Sequence, residues 1–152
     1  KNNYTVNVSF EEKNIIRVLK GPQFDYFSES SKKEFFSKEY KITNLTDRMG
    51  MRLEGKILKN IVSTNIRSEG ITKGAIQVPA DGQPIVLLTD HPTIGGYPKI
   101  ANVISADYDL LVQKIPGTNI SFKCIELQEA ERLYKEWCSN ISKIVKNIKK
   151  IK

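Results

Sequence analysis

"GAIQVPADGQPIVLLTDHPTIGGYPKIANVISA", Gly74 to Ala106, sets three short apolar runs between turn residues. The runs are "GAIQVP", "PIVLLTD" and "IANVISA". Pro79, Gly82-Gln83-Pro84 and Gly95-Gly96 punctuate them. Short runs rich in β-branched residues, with turn signals at close intervals, predict the strands of a sandwich or barrel rather than helices. The same grammar extends outward. "IIRVLKG" reads as a strand closed by Gly21-Pro22, "YKITNLT" alternates, "MRLEGKIL" is a strand interrupted by Gly55, and "NISFKCI" follows Pro116-Gly117. At the front, Tyr4, Val6, Val8 and Phe10 alternate with polar residues, as in a half-buried strand. Two stretches break the pattern. "SESSKKEFFSKEY" can start a short helix with a serine cap and Phe35-Phe36 turned inward, and "DYDLLVQKI" fits one or two helical turns.

The C-terminal end obeys a different period. Leu127, Ala130, Tyr134, Trp137, Ile141, Ile144 and Ile148 recur at steps of three and four, and Leu133 and Val145 widen the stripe. This predicts an amphipathic helix of about six turns, laid over the barrel or held out to a partner, with the first placement expected. The expected organisation is therefore a mainly β barrel over residues 1–125 and a C-terminal helix with a basic tail over 126–152.

Charge and cysteine usage exclude several classes. The formal net charge is +7, but five of the 24 basic residues lie in Ser139–Lys152, a segment without acids. The other 19 nearly balance the 17 acidic residues, so no nucleic-acid partner is expected: a binding groove needs basic residues interleaved with aromatics on a folded face. Lysines at a helix end complement the dipole instead. No apolar run is long enough to span a membrane and no signal sequence is visible, which suggests a cytoplasmic chain. Cys124 and Cys138 have no neighbouring Cys or His and do not show zinc spacing, so no metal site is expected.

Three stretches carry candidate chemistry. In "DRMGMRLEG", Arg48 and Arg52 stand four apart and would share one strand face. That is repulsive unless an anion, or salt bridges to Asp47 and Glu54, relieve it. In "RSEGITKGAIQVPADGQP", Glu69-Gly70 suggests a loop, and Gln77 is a polar amide inside an apolar run that must find partners. Neither a GxxxxGK[ST] loop nor a GxGxxG turn is present. In "DHPTIGGYPK", Gly95-Gly96 permits positive φ and a backbone anion nest. Lys99 adds a movable charge, and Asp90, Thr93 and Tyr97 supply oxygens. Such a set can hold a carboxylate or phosphoryl group and offer an acid or base; the same residues also make an ordinary turn. The lone His91 is a poor triad candidate without a Gly-x-Ser-x-Gly elbow.

"RVLKGPQFDYF", "TDRMGMRLEG", "IRSEGITKGAIQVPADGQPIVLLTDHPTIGGYPKIANVISADYDLL" and "QKIPGTNISF" together resemble the C-terminal half of a family with several names: the C subunit of 5-oxoprolinase, allophanate hydrolase subunit 2, or biotin-dependent carboxyltransferase. The match runs in order from about Ile16 to Phe122. Ile94 departs from it, standing where the family usually has a second Thr. The resemblance implies a cyclophilin-like β-barrel, used twice in a polypeptide about twice this length. It implies ATP, with Mg2+, as used by an assembled 5-oxoprolinase that opens 5-oxoproline to L-glutamate. The implied partners are the B subunit of 5-oxoprolinase, similar to allophanate hydrolase subunit 1, and the A subunit. Asp90, Lys99 and Glu69 are then the candidate catalytic residues. Arg48, Gln77, Thr93, Gly95, Gly96 and Tyr97 are candidates for binding substrate. The alternatives are the carboxyltransferase of a urea carboxylase or urea amidolyase, a non-enzymatic regulator of a sensor kinase, and a plain interaction module. A biotin-acceptor lysine between methionines is not present: Met49 and Met51 flank Gly50.

Overall fold

Apolar runs bounded by turn residues become strands whose buried faces must meet one another, and closing the sheet removes its edges. The computed structural model describes residues 3–5 and 13–151. In chain order the elements are β1 (Asn3–Thr5), β2 (Ile15–Lys20), a 3-10 turn (Phe24–Tyr26), α1 (Glu29–Ser37), β3 (Tyr40–Ile42), β4 (Gly50–Glu54), β5 (Glu69–Gly70), β6 (Ala75–Gln77), β7 (Ile85–Leu87), β8 (Ile94–Gly95), β9 (Lys99–Val103), α2 (Ser105–Val112), β10 (Asn119–Cys124), α3 (Leu127–Lys146) and β11 (Lys149–Ile151). Seven strands close a barrel in the order β10-β2-β9-β6-β7-β4-β3, with β3 returning to β10. The β10–β2 pair is parallel, and the other barrel pairs are antiparallel. Two ribbons stand outside the barrel, β1–β11 and β5–β8.

The barrel core is built from the alternate residues of these runs: Ile16 and Val18, Tyr40 and Ile42, Met51 and Leu53, Ile120 and Phe122, all at most 2% exposed. α1 starts where Ser28 accepts from the Ser31 N–H and packs Phe35 in a stack on Phe122 at 4.7 Å between ring centroids. α2 is tied to β2 by the buried Asp107 carboxylate, which accepts from the Arg17 backbone N–H at 2.8 Å and from its guanidinium. Breaking a buried pair of this kind by removing one partner leaves an uncompensated charge.

The expected strands and helices appear where the sequence places them, with one exception and one correction. Of the alternating Tyr4–Phe10 strand, only Asn3–Thr5 is described; Val6, Val8 and Phe10 lie outside the described residues. The correction concerns α3, which stops at Lys146, short of Ile148, and gives way to the strand β11. Ala130 is its buried residue, and with Leu133 it packs on Ile104, Ile125 and Leu19. The apolar stripe beyond Leu133 stays substantially exposed. Further along the helix, Tyr134 and Trp137 border a groove with Asn102 of β9 and Tyr108 of α2.

Candidate functional site

Gln77 ends β6 and Lys99 begins β9, and the two are paired across the antiparallel ladder just past a register shift at Ile76/Gln77. Residues directly opposite on antiparallel strands project from the same face. The carboxamide and the ammonium are therefore neighbours, and both are buried, at 6% and 4% exposure. A buried lysine needs a counter-charge and acceptors. The β5–β8 ribbon supplies the charge. Its register sets Glu69 against Gly95, which brings Glu69 Oε1 to 2.5 Å from Lys99 Nζ. The Gly95 backbone comes down on Gln77, so that a Cβ there would stand 2.6 Å from Gln77 Nε2.

A fourth residue completes the cluster. Gly21 lies so close on β9 that a Cβ would stand 2.2 Å from the Lys99 carbonyl oxygen. The absence of a side chain lets the Gly21-Pro22-Gln23 turn fold onto that strand, with Gly21 N–H donating to Ile100 O at 2.9 Å. The buried Gln23 side chain then accepts from the Lys99 backbone N–H at 3.2 Å and donates to Glu69 Oε1 at 2.8 Å. Lys99, and after it Gln23, holds the Glu69 carboxyl below its ordinary range. Gln23 is not among the sequence candidates. The signal that could have found it is a turn glycine followed by proline and an amide at the end of a buried strand.

The donors of this cluster are not all matched by acceptors. Lys99 Nζ, which carries three N–H donors, meets the Glu69 carboxylate at 2.5 Å, and Gln77 Nε2 has no partner. Buried donors are nearly always satisfied, and an orphan costs about 1–3 kcal/mol. An unmatched amide donor on the strand position opposite a buried lysine is suited to an acceptor oxygen of a carboxylate, a carbonyl or an oxyanion.

The other sequence candidates divide. Arg48 precedes β4 instead of lying on it, so it does not share a strand face with Arg52. Its guanidinium pairs with Asp90 at 2.8 Å, not with Asp47 or Glu54, in an exposed bridge. No hydrogen bond or ion pair among the described residues joins Arg48 or Asp90 to Lys99. Thr93 is exposed, and its carbonyl accepts from the Ile71 N–H; Tyr97 is 41% exposed. The anion nest is corrected. The glycines with positive φ are Gly74, Gly82 and Gly117, not Gly95 or Gly96. Gly95 is extended in β8, and Gly96 O accepts from the Ile66 N–H. What glycine provides here is close approach to Gln77, not left-handed backbone.

Among the described residues no group of three His, Cys, Asp or Glu side chains could hold a metal ion. No helix among them is long and apolar enough to cross a membrane.

Known proteins resemble this chain in sequence and fold. The family model for the carboxyltransferase domain, subdomain A and B, matches residues 2–124. The chain is 40% identical over 121 residues to the C subunit of 5-oxoprolinase from Haemophilus influenzae, covering 80% of this chain and 39% of that protein. It is 42% identical over 117 residues to the Escherichia coli protein of the same name, covering 77% and 38%. The chain thus spans about two fifths of the length of these curated relatives. The structure of Kluyveromyces lactis urea amidolyase superposes with a TM-score of 0.82 at 26% identity, over 91% of this chain and 9% of that one. With most of the barrel matched in sequence and fold, this chain belongs to the carboxyltransferase domain family, subdomain A and B.

Proposed function

We propose that this chain is the C-terminal part of a 5-oxoprolinase C subunit that opens 5-oxoproline to L-glutamate with ATP, in the cytoplasm, together with the A and B subunits. The observation that carries the reading is the buried, unpartnered donor Gln77 Nε2 on the strand position opposite the buried Lys99, whose ammonium has Glu69 as its counter-charge. 5-Oxoproline offers two oxygen sets to such a pair, a carboxylate and a lactam carbonyl. Ring opening develops negative charge on the carbonyl oxygen, and preorganised donors in a water-poor site stabilise that charge. In this reading Lys99 and Gln77 hold the substrate oxygen. Glu69 and Gln23 fix the ammonium. Gly95 lets the carboxamide approach, and Gly96, Thr93 and Tyr97 line the approach from the β8 side. Glu69 with its lowered pKa is a weak base at neutral pH and serves better as the partner that positions Lys99. Arg48 and Asp90 form a separate, solvent-facing pair.

The described residues do not fit a nucleotide phosphate or Mg2+. The sequence has no phosphate-binding loop, the glycine pair is not left-handed, and no carboxylate cluster is formed. ATP and its metal belong, in this proposal, to another part of the assembly.

The test is Lys99→Ala in the full-length protein, assembled with its partners. A loss of about 100-fold or more in kcat/KM, roughly 2.7 kcal/mol, is expected from removing one such donor. Unchanged turnover in a stable variant would refute the assignment. A second reading is favoured by one observation: the superposition on urea amidolyase extends over 91% of this chain. It makes the chain part of a carboxyltransferase that takes a carboxyl group from a biotin carried elsewhere. Biotin-dependent carboxyl transfer without 5-oxoproline turnover, in the same assembled protein, would select it.

A further inference from the structure

Lys99 and Gln77 are both buried, and the β5–β8 ribbon closes over them: Glu69 sits on the ammonium and the Gly95 backbone sits on the carboxamide. Closed in this way, neither group is open to a solute. A ligand oxygen can meet them only if the ribbon lifts.

The way the ribbon is fastened allows that movement. Its backbone holds it to itself. Ile66 N–H donates to Gly96 O at 2.9 Å and Ile71 N–H to Thr93 O at 3.1 Å, on either side of the paired Glu69–Gly95 and Gly70–Ile94. Among the described residues no backbone hydrogen bond joins 66–71 or 93–96 to a barrel strand. Side chains hold it to the barrel instead. They are the Glu69–Lys99 ion pair, the Gln23–Glu69 hydrogen bond, and Ile71, which packs with Ala75, Leu87 and Ile85 in a cluster separate from the barrel core. The outer side is bare: Ile94 is exposed, and nothing stands within 4 Å of a Cβ placed at Gly70. A unit with its own backbone bonds and little buried apolar surface opens without unfolding the rest. Opening separates Glu69 from Lys99, but it admits water to both charges and to Gln77 Nε2, the amide left unpaired in the closed form. The two forms are thereby balanced against each other.

We infer that the β5–β8 ribbon, residues 66–71 with 93–96, is a cover that opens as one piece over Lys99 and Gln77, with Glu69 as its latch and Ile71 as its apolar fastening. It admits a small ligand bearing a carboxylate or carbonyl oxygen and, on closing, keeps water from it. Its use in admitting substrate rests on the function proposed for this site, whereas the movement is measured without turnover, so the two can fail separately.

The experiment is pulsed lysine acetylation of the 152-residue chain with N-hydroxysuccinimidyl acetate, read residue by residue by mass spectrometry. Lys99 should label at least about tenfold more slowly than Lys41, exposed on β3, and its rate should change little with urea below the unfolding transition, as in a local opening. Ile71→Ala loosens the cover without touching a charge. It should raise the Lys99 rate about tenfold or more, leaving Lys41 and the far-UV spectrum unchanged. If that variant does not fold, Ile71→Val carries the same test with an expected rise of about threefold. Lys99 labelling as fast as Lys41 overturns the cover. Labelling that appears only in step with global unfolding overturns its opening. A Lys99 rate indifferent to the Ile71 substitution, in a folded chain, overturns the fastening. Unchanged turnover in Lys99→Ala would remove the proposed activity and leave the cover standing.

Discussion

Two ion pairs flank the same barrel and share almost nothing else. Lys99–Glu69 has an ammonium that is 5% exposed; Arg48–Asp90 has a guanidinium that is 87% exposed. The first is held from several directions, by the Gln23 side chain, the β5–β8 ribbon and the backbone of a glycine turn. The second connects two loop ends whose backbones also meet, Asp90 N–H donating to Arg48 O at 3.1 Å. A sequence presents both pairs in the same way, as charges near glycines. The difference is that the fold surrounds one with neighbours and leaves the other to solvent, and that difference separates a candidate site from a surface bridge.

The sharpest way to break the comparison is to disturb the support without touching a charge. Gly21→Ala places a methyl 2.2 Å from Lys99 O, 2.8 Å from Lys99 C and 2.9 Å from Ala101 N, all backbone atoms that cannot step aside. The Gly21-Pro22-Gln23 turn must lift off β9, taking Gln23 from Glu69 and Lys99. We expect a loss of about 3 kcal/mol or more in urea unfolding. A neutral substitution would mean that the turn does not hold the lysine.

How much of this is legible in the sequence follows from what each residue needs. Strand runs, turn residues and the Ser28-capped helix α1 are local, so period and punctuation place them. Glu69, Gln77 and Lys99 are legible as polar groups in the wrong surroundings, and the structure brings these three together. Gln23 is not, because its contacts are 46 and 76 residues away in sequence. Gly95-Gly96 reads as backbone freedom, when the need is space for the Gln77 amide. Asp90 groups with Lys99 by proximity in sequence, whereas the β7–β9 connection carries it to Arg48. The apolar period runs on to Ile148, whereas α3 stops at Lys146 and β11 follows, which no periodicity encodes.

A smaller effect sharpens the comparison through pH. Lys99 and Gln23 depress the folded-state pKa of Glu69. Stability from this group is therefore complete above the unfolded carboxylate value of about 4.3 and is lost as pH falls through the depressed folded value. Glu69→Gln removes that dependence. The difference in urea midpoint between native chain and variant should be constant at neutral pH and shrink only below the unfolded value. A difference that instead closes between pH 6 and 8 would show that another group governs the cluster.

The smallest effect belongs to Arg48 and Asp90. Their separation of 2.8 Å is good geometry, but water competes for an arginine that is almost wholly exposed, and ordering two side chains costs entropy. A double-mutant cycle of Arg48→Ala and Asp90→Ala should yield a coupling of about 0.2–1 kcal/mol in stability, falling as salt is raised. In the assembled enzyme each single variant should keep kcat/KM within about threefold, against the loss of about 100-fold expected for Lys99→Ala. A large kinetic loss in Asp90→Ala with unchanged stability would move the reacting centre toward the loop after β7. It would return Asp90 to the role of base that its sequence neighbours suggest. Because the coupling is read from stability and the role from kinetics, the two outcomes cannot be confused.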